Sequence, residues 1–315
     1  MKFAIRRSNF KSLMMPIAMV VGAIFYPWME YITFLSPYLI FIMLFITYCK
    51  LTPHDFKPTK FELILLGVQI LMAAAAYLSI FFWNRTLAEG VFICFFISTA
   101  TAAPVITSML GGSISKVATF SLMSNAMIAL LGPIVLAAIG DHSEITFSES
   151  FFLILKQVFP LILLPLVLAM ALRKFAPRLH SAVVEKQQVS FYCWCLSLLI
   201  VVGGCTSFAI QNWTPETTIT MIMLALGALA ACLIQFKLGR RIGRRFGDSV
   251  AGGQSLGQKN TVLAVWLALA YLNPMASIAP AAYVAWQNIV NSWQLMRHQA
   301  KASSPDIIKK TALNL

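Results

Sequence analysis

Long apolar stretches separated by short polar loops run along almost the whole chain of 315 residues. Each stretch is close to the roughly 20 residues that an α-helix needs to cross about 30 Å of hydrocarbon. The pattern predicts ten such segments, at residues 13–30, 32–49, 62–82, 88–110, 115–139, 151–172, 189–209, 217–236, 249–271 and 276–295. The chain is therefore expected to be an all-α integral membrane protein whose surroundings are the lipid bilayer, with no separate soluble module.

The composition agrees with a membrane protein, and the placement of the charged residues indicates how the chain is oriented in the membrane. The chain is 59% hydrophobic and 11% charged, with a net charge of +13. Its Lys and Arg residues lie between the apolar segments rather than on one folded face, so nucleic acid is not an expected partner. Lys and Arg accumulate in cytoplasmic loops, and they fall here in alternate loops apart from Arg85, Lys156 and Lys259. Ten spans in the inner cell membrane, with both termini cytoplasmic, explain this pattern.

The acidic residues collect on the opposite side of the predicted membrane, and the long loop 140–150 divides the ten segments into five and five. An odd number of spans per half inverts the second half relative to the first, as in many secondary transporters. We therefore expect one inverted repeat at 1–140, a second at 141–296 and a cytoplasmic tail at 297–315. The acidic residues of the opposite side are Glu30, Glu89, Asp141, Glu144, Glu149 and Glu216.

Two segments at matching places in the halves carry polar or glycine-rich runs. The fourth segment contains residues 98–104, which end in Pro104, and the ninth contains residues 252–261 with three glycines. Proline interrupts a helix, and an interruption at membrane depth is tolerated only where protein or a cavity surrounds it. The fourth and ninth helices are therefore predicted to be discontinuous and to cross at one site.

The predicted crossing is the candidate substrate site. Freed N-termini of half-helices carry unsatisfied amides and partial positive charge, which suit an anionic group. Polar residues of the fifth and tenth segments could contact the ligand there, or could only hold helices together. The candidate substrate-binding residues are Thr101, Ala102, Pro104, Asn260, Thr261, Gln287 and Asn288.

Lys259 is the most informative residue of the sequence. A charged side chain near the bilayer centre costs about 2.5–3.5 kcal/mol on insertion scales, and no Asp or Glu lies deep inside an apolar segment to neutralise it. The sequence leaves four interpretations open: a neutral amine, contacts with exposed carbonyls and Gln side chains, an anionic ligand, or a side chain that extends to the membrane surface.

Enzymatic chemistry is not expected, and neither is a cofactor or a metal site. The six Cys show no zinc-ligand spacing, the four His lie in or next to loops, and no nucleophile–base spacing occurs. An antiporter for cations and protons would need intramembrane aspartates, which the sequence lacks. A sensor that binds an anion without transporting it stays open, because binding and transport use the same site.

Local matches make the chain similar to the bile acid:sodium symporter family over roughly residues 30–296. They comprise Pro37-Tyr38 leading into residues 51–56, the ninth-segment residues Gly257, Asn260, Thr261, Leu263 and Ala264, and Trp286-Gln287-Asn288 in the tenth segment. The resemblance implies a core of segments 3–5 and 8–10 against a panel of segments 1, 2, 6 and 7. It also implies organic anions as substrates, such as bile acids, pantoate-like acids and keto acids.

Departures from the family concern its sodium sites. The resemblance aligns the family's sodium-ligating acid and glutamine of the ninth helix with Ser255 and Lys259. The family's Pro-Gly-Gly and Ser-Asn elements align with residues 98–100 and 103–104, so Gln69 and Ser121 are the candidate sodium ligands that remain. We therefore expect Lys259 to replace the charge of a sodium ion, with Ser255, Gln258, Gln69 and Ser121 around it. Transport would then be facilitated, or coupled to a proton through Lys259; a sodium-coupled symporter is the alternative.

Overall fold

A computed structural model describes residues 7–49, 57–100, 102–139, 164–211 and 213–302, together with residues 148, 149, 152 and 156. It is 87% helical, and the described residues form no strands. The helices are α1 Arg7–Ile24, α2 Tyr26–Met29, α3 Ser36–Tyr48, α4 Lys60–Phe81, α5 Arg85–Phe96, α6 Ala103–Met109, α7 Ile114–Ile139, α8 Leu164–Phe175, α9 Pro177–Glu185, α10 Gln187–Gln211, α11 Thr218–Arg245, α12 Ser249–Gly257, α13 Thr261–Tyr271 and α14 Ile278–Ala302.

Four described helical stretches are long and apolar enough to cross a membrane. They are Lys60–Phe81, Ile114–Gly132, Gln188–Gln211 and Thr218–Arg245. These stretches and the helical content confirm the helical class and the membrane character that the apolar pattern predicts. The loop 140–147, most of the first half of the sixth predicted segment and the tail from residue 303 lie outside the described residues.

Polar residues set the beginnings of several helices. Thr59 caps α4, because its hydroxyl accepts the amide of Phe61 at 3.2 Å while the Glu62 carboxylate accepts the amide of Thr59 at 2.8 Å. Asn84 caps α5 by accepting the amide of Leu87 at 2.9 Å. Such side-chain caps satisfy donors that the first helical turn leaves free.

The helices pack in two groups. In the first, α10 packs against α1, α2 and α3, and α8 packs against α3. In the second, α4 packs against α5 and α7, while α11 packs against α5, α12 and α14. The groups meet where α14 contacts α1 and α10 and where α6 contacts α3.

Close contact between α11 and α12 depends on glycine. A Cβ atom at Gly239 would collide with the carbonyl of Gly252, and one at Gly252 would collide with the carbonyl of Gly239. Small residues let helix backbones approach closely where lipid provides no hydrophobic drive for association. These two glycines therefore hold α12 directly against α11.

Several helices extend beyond their predicted ends. The eighth segment was expected to end near residue 236, but α11 continues to Arg245. Helix α14 continues to Ala302, so the tail predicted at 297–315 begins inside a helix. Helix α9 forms in a stretch expected to be loop. The reason is that hydropathy marks only the part of a helix that lies in hydrocarbon, whereas Lys, Arg and Gln continue a helix readily in a polar environment.

Candidate functional site

Two broken helices cross at the centre of the second group. The chain leaves the helix after Phe96 and resumes it at Ala103, and it leaves the helix after Gly257 and resumes it at Thr261. Between these ends Thr99 and Lys259 face each other in an antiparallel bridge. The amide of Ala100 donates to the carbonyl of Gln258 at 2.8 Å, and that of Asn260 donates to the carbonyl of Ser98 at 2.9 Å. We call the paired segments 97–100 and 258–260 the helix crossing.

Lys259 lies at the crossing with only 1% of its surface exposed. Its ammonium nitrogen Nζ is 3.0 Å from the carbonyl oxygens of both Phe95 and Ile97, at the C-terminal end of α5. A helix C-terminus carries partial negative charge, which favours a cation. Among the interpretations left open by the sequence, contact with exposed carbonyls describes this geometry, and the side chain does not extend to the surface.

Gln69 of α4 approaches the same helix end from another side. Its Nε2 donates to the carbonyls of Phe96 at 2.6 Å and Ile97 at 2.9 Å, while its Oε1 accepts the hydroxyl of Ser124 at 3.1 Å. The predicted coupling residues Gln69 and Lys259 therefore share one cluster of carbonyls. Ionic and amide donors together satisfy the last carbonyls of α5, which a helix end leaves without internal partners.

The tenth predicted segment supplies two further contacts through α14. Gln287 Oε1 accepts the amide of Lys259 at 2.8 Å, and the Tyr283 hydroxyl donates to the carbonyl of Gly257 at 2.9 Å. Gln235 of α11 donates to the Tyr283 oxygen at 3.0 Å. Sequence reasoning missed Tyr283 and Gln235. Gln235 was detectable as an amide at the end of an apolar run, whereas nothing near Tyr283 in the sequence marks it.

Gln258 belongs to a buried chain of amides that leads away from the crossing. Its Oε1 accepts the Asn291 amide at 2.5 Å, and Gln254 Nε2 donates to Asn291 Oδ1 and to Gln294 Oε1, each at 3.1 Å. Arg240 donates to the same Gln294 oxygen at 2.9 Å. This network of hydrogen bonds connects α12 to α14 and α11, so it stabilises the second group of helices.

Several buried hydroxyl and amide oxygens of α7, α12 and the crossing are less completely paired. Asn125 Nδ2 donates to the carbonyl of Ser121 at 2.8 Å, and the Thr99 hydroxyl donates to the carbonyl of Ser255 at 2.6 Å. The Oγ atoms of Ser98 and Ser255 and the Oδ1 of Asn125 are buried without a hydrogen-bond partner among the described residues. These oxygens are among the buried polar atoms that a small ligand or ion could still engage.

Half-helix N-termini do not offer the free amides that the sequence was expected to provide. The amide of Ala103 donates to the carbonyl of Ala100 at 3.1 Å, and the amide of Val105 donates to the carbonyl of Ala102 at 3.1 Å. At the start of α13 the Asn260 side chain accepts the amide of Leu263 at 3.3 Å. The expectation is wrong for these donors because a tight turn and a side-chain cap pair them within the chain.

The remaining substrate-binding candidates surround the crossing in different ways. Ala102 and Pro104 lie at the start of α6, and Asn260 and Thr261 lie at the start of α13. Asn288 is buried and donates to the Val284 carbonyl at 2.7 Å. Thr101 lies outside the described residues.

A cavity of about 500 Å³ opens between α10, α11 and α14. Its lining is apolar, with Val202 and Ile210 from α10, Met221 from α11 and Val284 from α14 among its residues. This volume is typical of small-molecule sites. No substrate-binding candidate lines the cavity, but Asn288, whose Oδ1 is buried and unpaired among the described residues, follows Val284 by one turn of α14.

Two carboxylates, the buried Glu89 and the half-buried Asp248, connect distant parts of the chain, and sequence reasoning assigned neither to a site. Glu89 of α5 pairs with Arg85 at 3.0 Å and accepts the amide of Asn273, beyond α13, at 2.8 Å. Asp248, before α12, accepts the amide of Ser113, beyond α6, at 2.7 Å. The carboxylate near the start of each broken helix therefore binds the loop that follows the other broken helix. We call these contacts the Glu89 clasp and the Asp248 clasp.

No protein family and no characterised protein matches the chain in sequence comparisons. The resemblance to bile acid:sodium symporters therefore stays a prediction. Among the described residues, no group of three or more His, Cys, Asp or Glu could hold a metal ion. The helix crossing is thus defined by its geometry alone, as a buried cation held against the end of a broken helix.

Proposed function

We propose that the protein is a secondary transporter of a small organic anion that works by alternating access. The observation that carries the proposal is the buried ammonium of Lys259, held by the carbonyls of Phe95 and Ile97 where two broken helices cross. Discontinuous helices near mid-membrane form substrate and ion sites in many secondary transporters. A soluble or purely structural bundle has no need to interrupt two helices at one buried point.

The order of elements supports ten spans arranged as two inverted repeats. A long helix, two half-helices and another long helix follow one another in α4–α7, and the same order recurs in α11–α14. The Glu89 and Asp248 clasps add reciprocity, since each joins the start of one broken helix to the loop after the other. In this proposal α4–α7 and α11–α14 form the core, and α1, α3, α8 and α10 form the panel.

The role proposed for Lys259 is that of a fixed cation in place of sodium. Oxygen atoms are the ligands of hard cations, and the carbonyls at the end of α5 present a cluster of them. An ammonium group donates hydrogen bonds to the same oxygens and carries the same single charge. The proposal therefore favours sodium-independent transport, either facilitated or coupled to a proton that Lys259 binds and releases.

The cavity between α10, α11 and α14 supports a substrate path between panel and core. It opens beside Trp213, at the end of α10, and it reaches Val284, one turn from Asn288. In the proposed topology this end faces away from the cytoplasm. Asn288 is then the candidate polar contact for a substrate that enters from this side.

Flux measurements in proteoliposomes test the proposal. A panel of carboxylates is screened for stabilisation of the purified protein, and uptake of those that bind is measured with sodium, potassium or choline outside. We expect equal uptake in the three salts and a loss of more than tenfold in Lys259→Gln. Lys156→Gln is the matched control, because Lys156 is an exposed lysine away from the crossing. Full uptake in Lys259→Gln would overturn the role of the fixed cation.

Sodium-coupled symport is the second candidate, and three orphan oxygens favour it. Ser98 Oγ in the crossing, Ser255 Oγ in α12 and Asn125 Oδ1 in α7 are buried and have no hydrogen-bond partner among the described residues. A sodium ion bound by them would make uptake fall when choline replaces sodium. Binding without any flux would instead identify an anion sensor, and it would overturn transport while leaving the site intact.

A further inference from the structure

Helix α11 carries one exposed stripe along its length. Ile219, Leu226 and Ile234 are 72%, 57% and 48% exposed and lie on the same side of the helix. From Ile219 to Ile234 the stripe is about 22 Å long at about 1.5 Å rise per residue. That length covers most of the roughly 30 Å hydrocarbon core of a bilayer. This apolar face of α11 therefore suits contact with lipid chains.

Four cations continue the same stripe. Lys237, Arg241, Arg244 and Arg245 are exposed and follow the apolar residues on the same side of the helix at helical spacing. They occupy about the next 12 Å of α11. The change from apolar to cationic residues on one uninterrupted face places the level of the lipid headgroups just beyond Ile234.

The neighbouring helix α14 changes character at the same level. Arg240 of α11 donates to Gln294 of α14 at 2.9 Å, which fixes the relative height of the two helices. Trp293 is 47% exposed, and the guanidinium of Arg297 lies 4.3 Å from the centre of its ring. Trp residues concentrate at the interface between hydrocarbon and headgroups. The second helix therefore supports the same position for the interface.

The described residues provide no carboxylate partner for the four cations. Within the described part of the chain, no carboxylate lies at ion-pair distance from any of them. The acid nearest in sequence is Asp248, whose two oxygens accept the amides of Ser113 and Ala251, each at 2.7 Å. The carbonyl of Gly243, near the end of α11, already accepts the amides of Phe246 and Asp248. The preference of Lys and Arg for cytoplasmic loops accounts for the side of the membrane on which these charges lie, but among the described residues neither an acidic partner nor the capping of the helix end engages them.

We propose that Lys237, Arg241, Arg244 and Arg245 form a binding site for the phosphate of an anionic phospholipid. Basic clusters directly beyond a membrane-spanning segment attract anionic lipid with about 1 kcal/mol per Lys or Arg near the surface. Arg side chains also form paired hydrogen bonds with phosphate oxygens. The lipid tails would lie along the apolar stripe of the same helix. The site depends on the membrane position of α11 and is independent of the transport proposal.

Thermal unfolding of the purified protein in neutral detergent tests this site. Phosphatidylglycerol should raise the unfolding temperature, whereas phosphatidylcholine with the same chains and inorganic phosphate should not. In the variant Lys237→Gln with Arg241→Gln, the lipid concentration that gives half of the shift should rise roughly 30-fold at low salt. The matched control removes two exposed charges from α9 and its end, by Arg178→Gln with Lys186→Gln, and should change that concentration less than about twofold.

Three results would overturn the proposal. The first is an equal loss of lipid sensitivity in both double variants, which would indicate a response to net charge. The second is an equal shift with inorganic phosphate, which would assign the cations to a free anion. The third comes from the unmodified protein, so it does not depend on folding of a variant: native mass spectrometry with equal amounts of the two lipids should retain phosphatidylglycerol, and equal retention would exclude the site.

Discussion

Thr99 and Lys259 occupy equivalent positions in the two broken helices, yet they bring different chemistry to the crossing. Each faces the other in the antiparallel bridge, and each donates its side chain to the end of the opposite half-helix. Thr99 gives one neutral hydrogen bond to Ser255, whereas Lys259 gives two charged ones to Phe95 and Ile97. The backbone arrangement is nearly reciprocal, but the positive charge comes from the second half alone and the carbonyl cluster from the first. The comparison teaches that a crossing whose backbone hydrogen bonds are nearly reciprocal can hold a site with positive charge on one side only.

Among substitutions at the crossing, removal of the Lys259 ammonium group should cause the largest loss of stability. Lys259→Met deletes two hydrogen bonds from a charged donor, and it leaves the buried carbonyl of Phe95 without that partner, while Ile97 keeps its bond from Gln69. Hydrogen bonds to charged groups contribute about 1.5–3 kcal/mol each, and relief from burying the charge offsets part of this. We expect a loss of about 3 kcal/mol in the free energy of unfolding, measured by denaturant titration in detergent. An unchanged stability would mean that the ammonium is not held by these carbonyls.

Close packing of the second broken helix gives the next effect. Gly252→Ala would bring a Cβ atom against the backbone of Gly239, and overpacking typically costs about 1–3 kcal/mol. The control is Gly67→Ala in α4, where an added Cβ would meet no atom within 4 Å. We expect Gly252→Ala to lower the unfolding temperature clearly and Gly67→Ala to leave it unchanged or slightly raised. Equal effects would show that α11 and α12 are not in close contact.

Loss of charge should weaken the two clasps by similar amounts but for different reasons. Glu89→Gln keeps an acceptor for the Asn273 amide but removes the ion pair with Arg85, which is partly exposed. We expect a cost of about 1 kcal/mol, since partly exposed pairs contribute little. The two carboxylate oxygens of Asp248 accept one amide each, from Ser113 and Ala251. Asp248→Asn keeps only one of these oxygens, so it should lower the free energy of unfolding by about one hydrogen bond, near 1 kcal/mol.

Coupling between the clasps can be measured with the double variant. If the clasps hold the two broken helices as one rigid unit, the combined cost should exceed the sum of the single costs by more than about 0.5 kcal/mol. Simple addition of the two costs would show instead that each clasp acts locally. The readout is again the free energy of unfolding, with both single variants measured in the same detergent.

Thr99→Val should have the smallest effect. It removes one neutral hydrogen bond to the carbonyl of Ser255 and keeps the shape of the side chain, at a cost of about 1 kcal/mol or less. The bridge itself is made by backbone groups of Ala100 and Asn260, so it should survive. Anion uptake should stay within about twofold of the unmodified protein. A loss as large as that of Lys259→Gln would show that charge is not what distinguishes the two positions.

Several features of the site were predictable because they depend on local sequence. Pro104 and the glycines at 252, 253 and 257 mark the two segments that are interrupted, although these glycines lie inside α12 and the break follows them at 258–260. A lysine at position 259 stands out in an apolar segment. Other features were not predictable from local patterns. The free amides expected at the half-helix N-termini are paired by a turn and by Asn260, a cap whose geometry becomes visible only once the backbone path is known.

The burial of Glu89 is another feature that local sequence patterns could not predict. By sequence it is one acid among several near segment ends, and only the fold buries it to 1% exposure beside Arg85 and the Asn273 amide. The cavity is a further example, because its lining comes from three helices that are distant in sequence. Long-range packing of this kind leaves no periodic signal in the chain.

The sequence by itself determined the helical class, the membrane character, the two segments in which helices are interrupted and the presence of a lysine in one of them. These properties follow from the length and spacing of apolar runs and from the backbone chemistry of Pro and Gly, which act within a few residues. Only the tertiary structure decided that Lys259 meets the carbonyls of Phe95 and Ile97, which precede it by more than 160 positions. The physical reason is that a buried ammonium must find oxygen partners wherever packing brings them, and packing is a property of the whole chain.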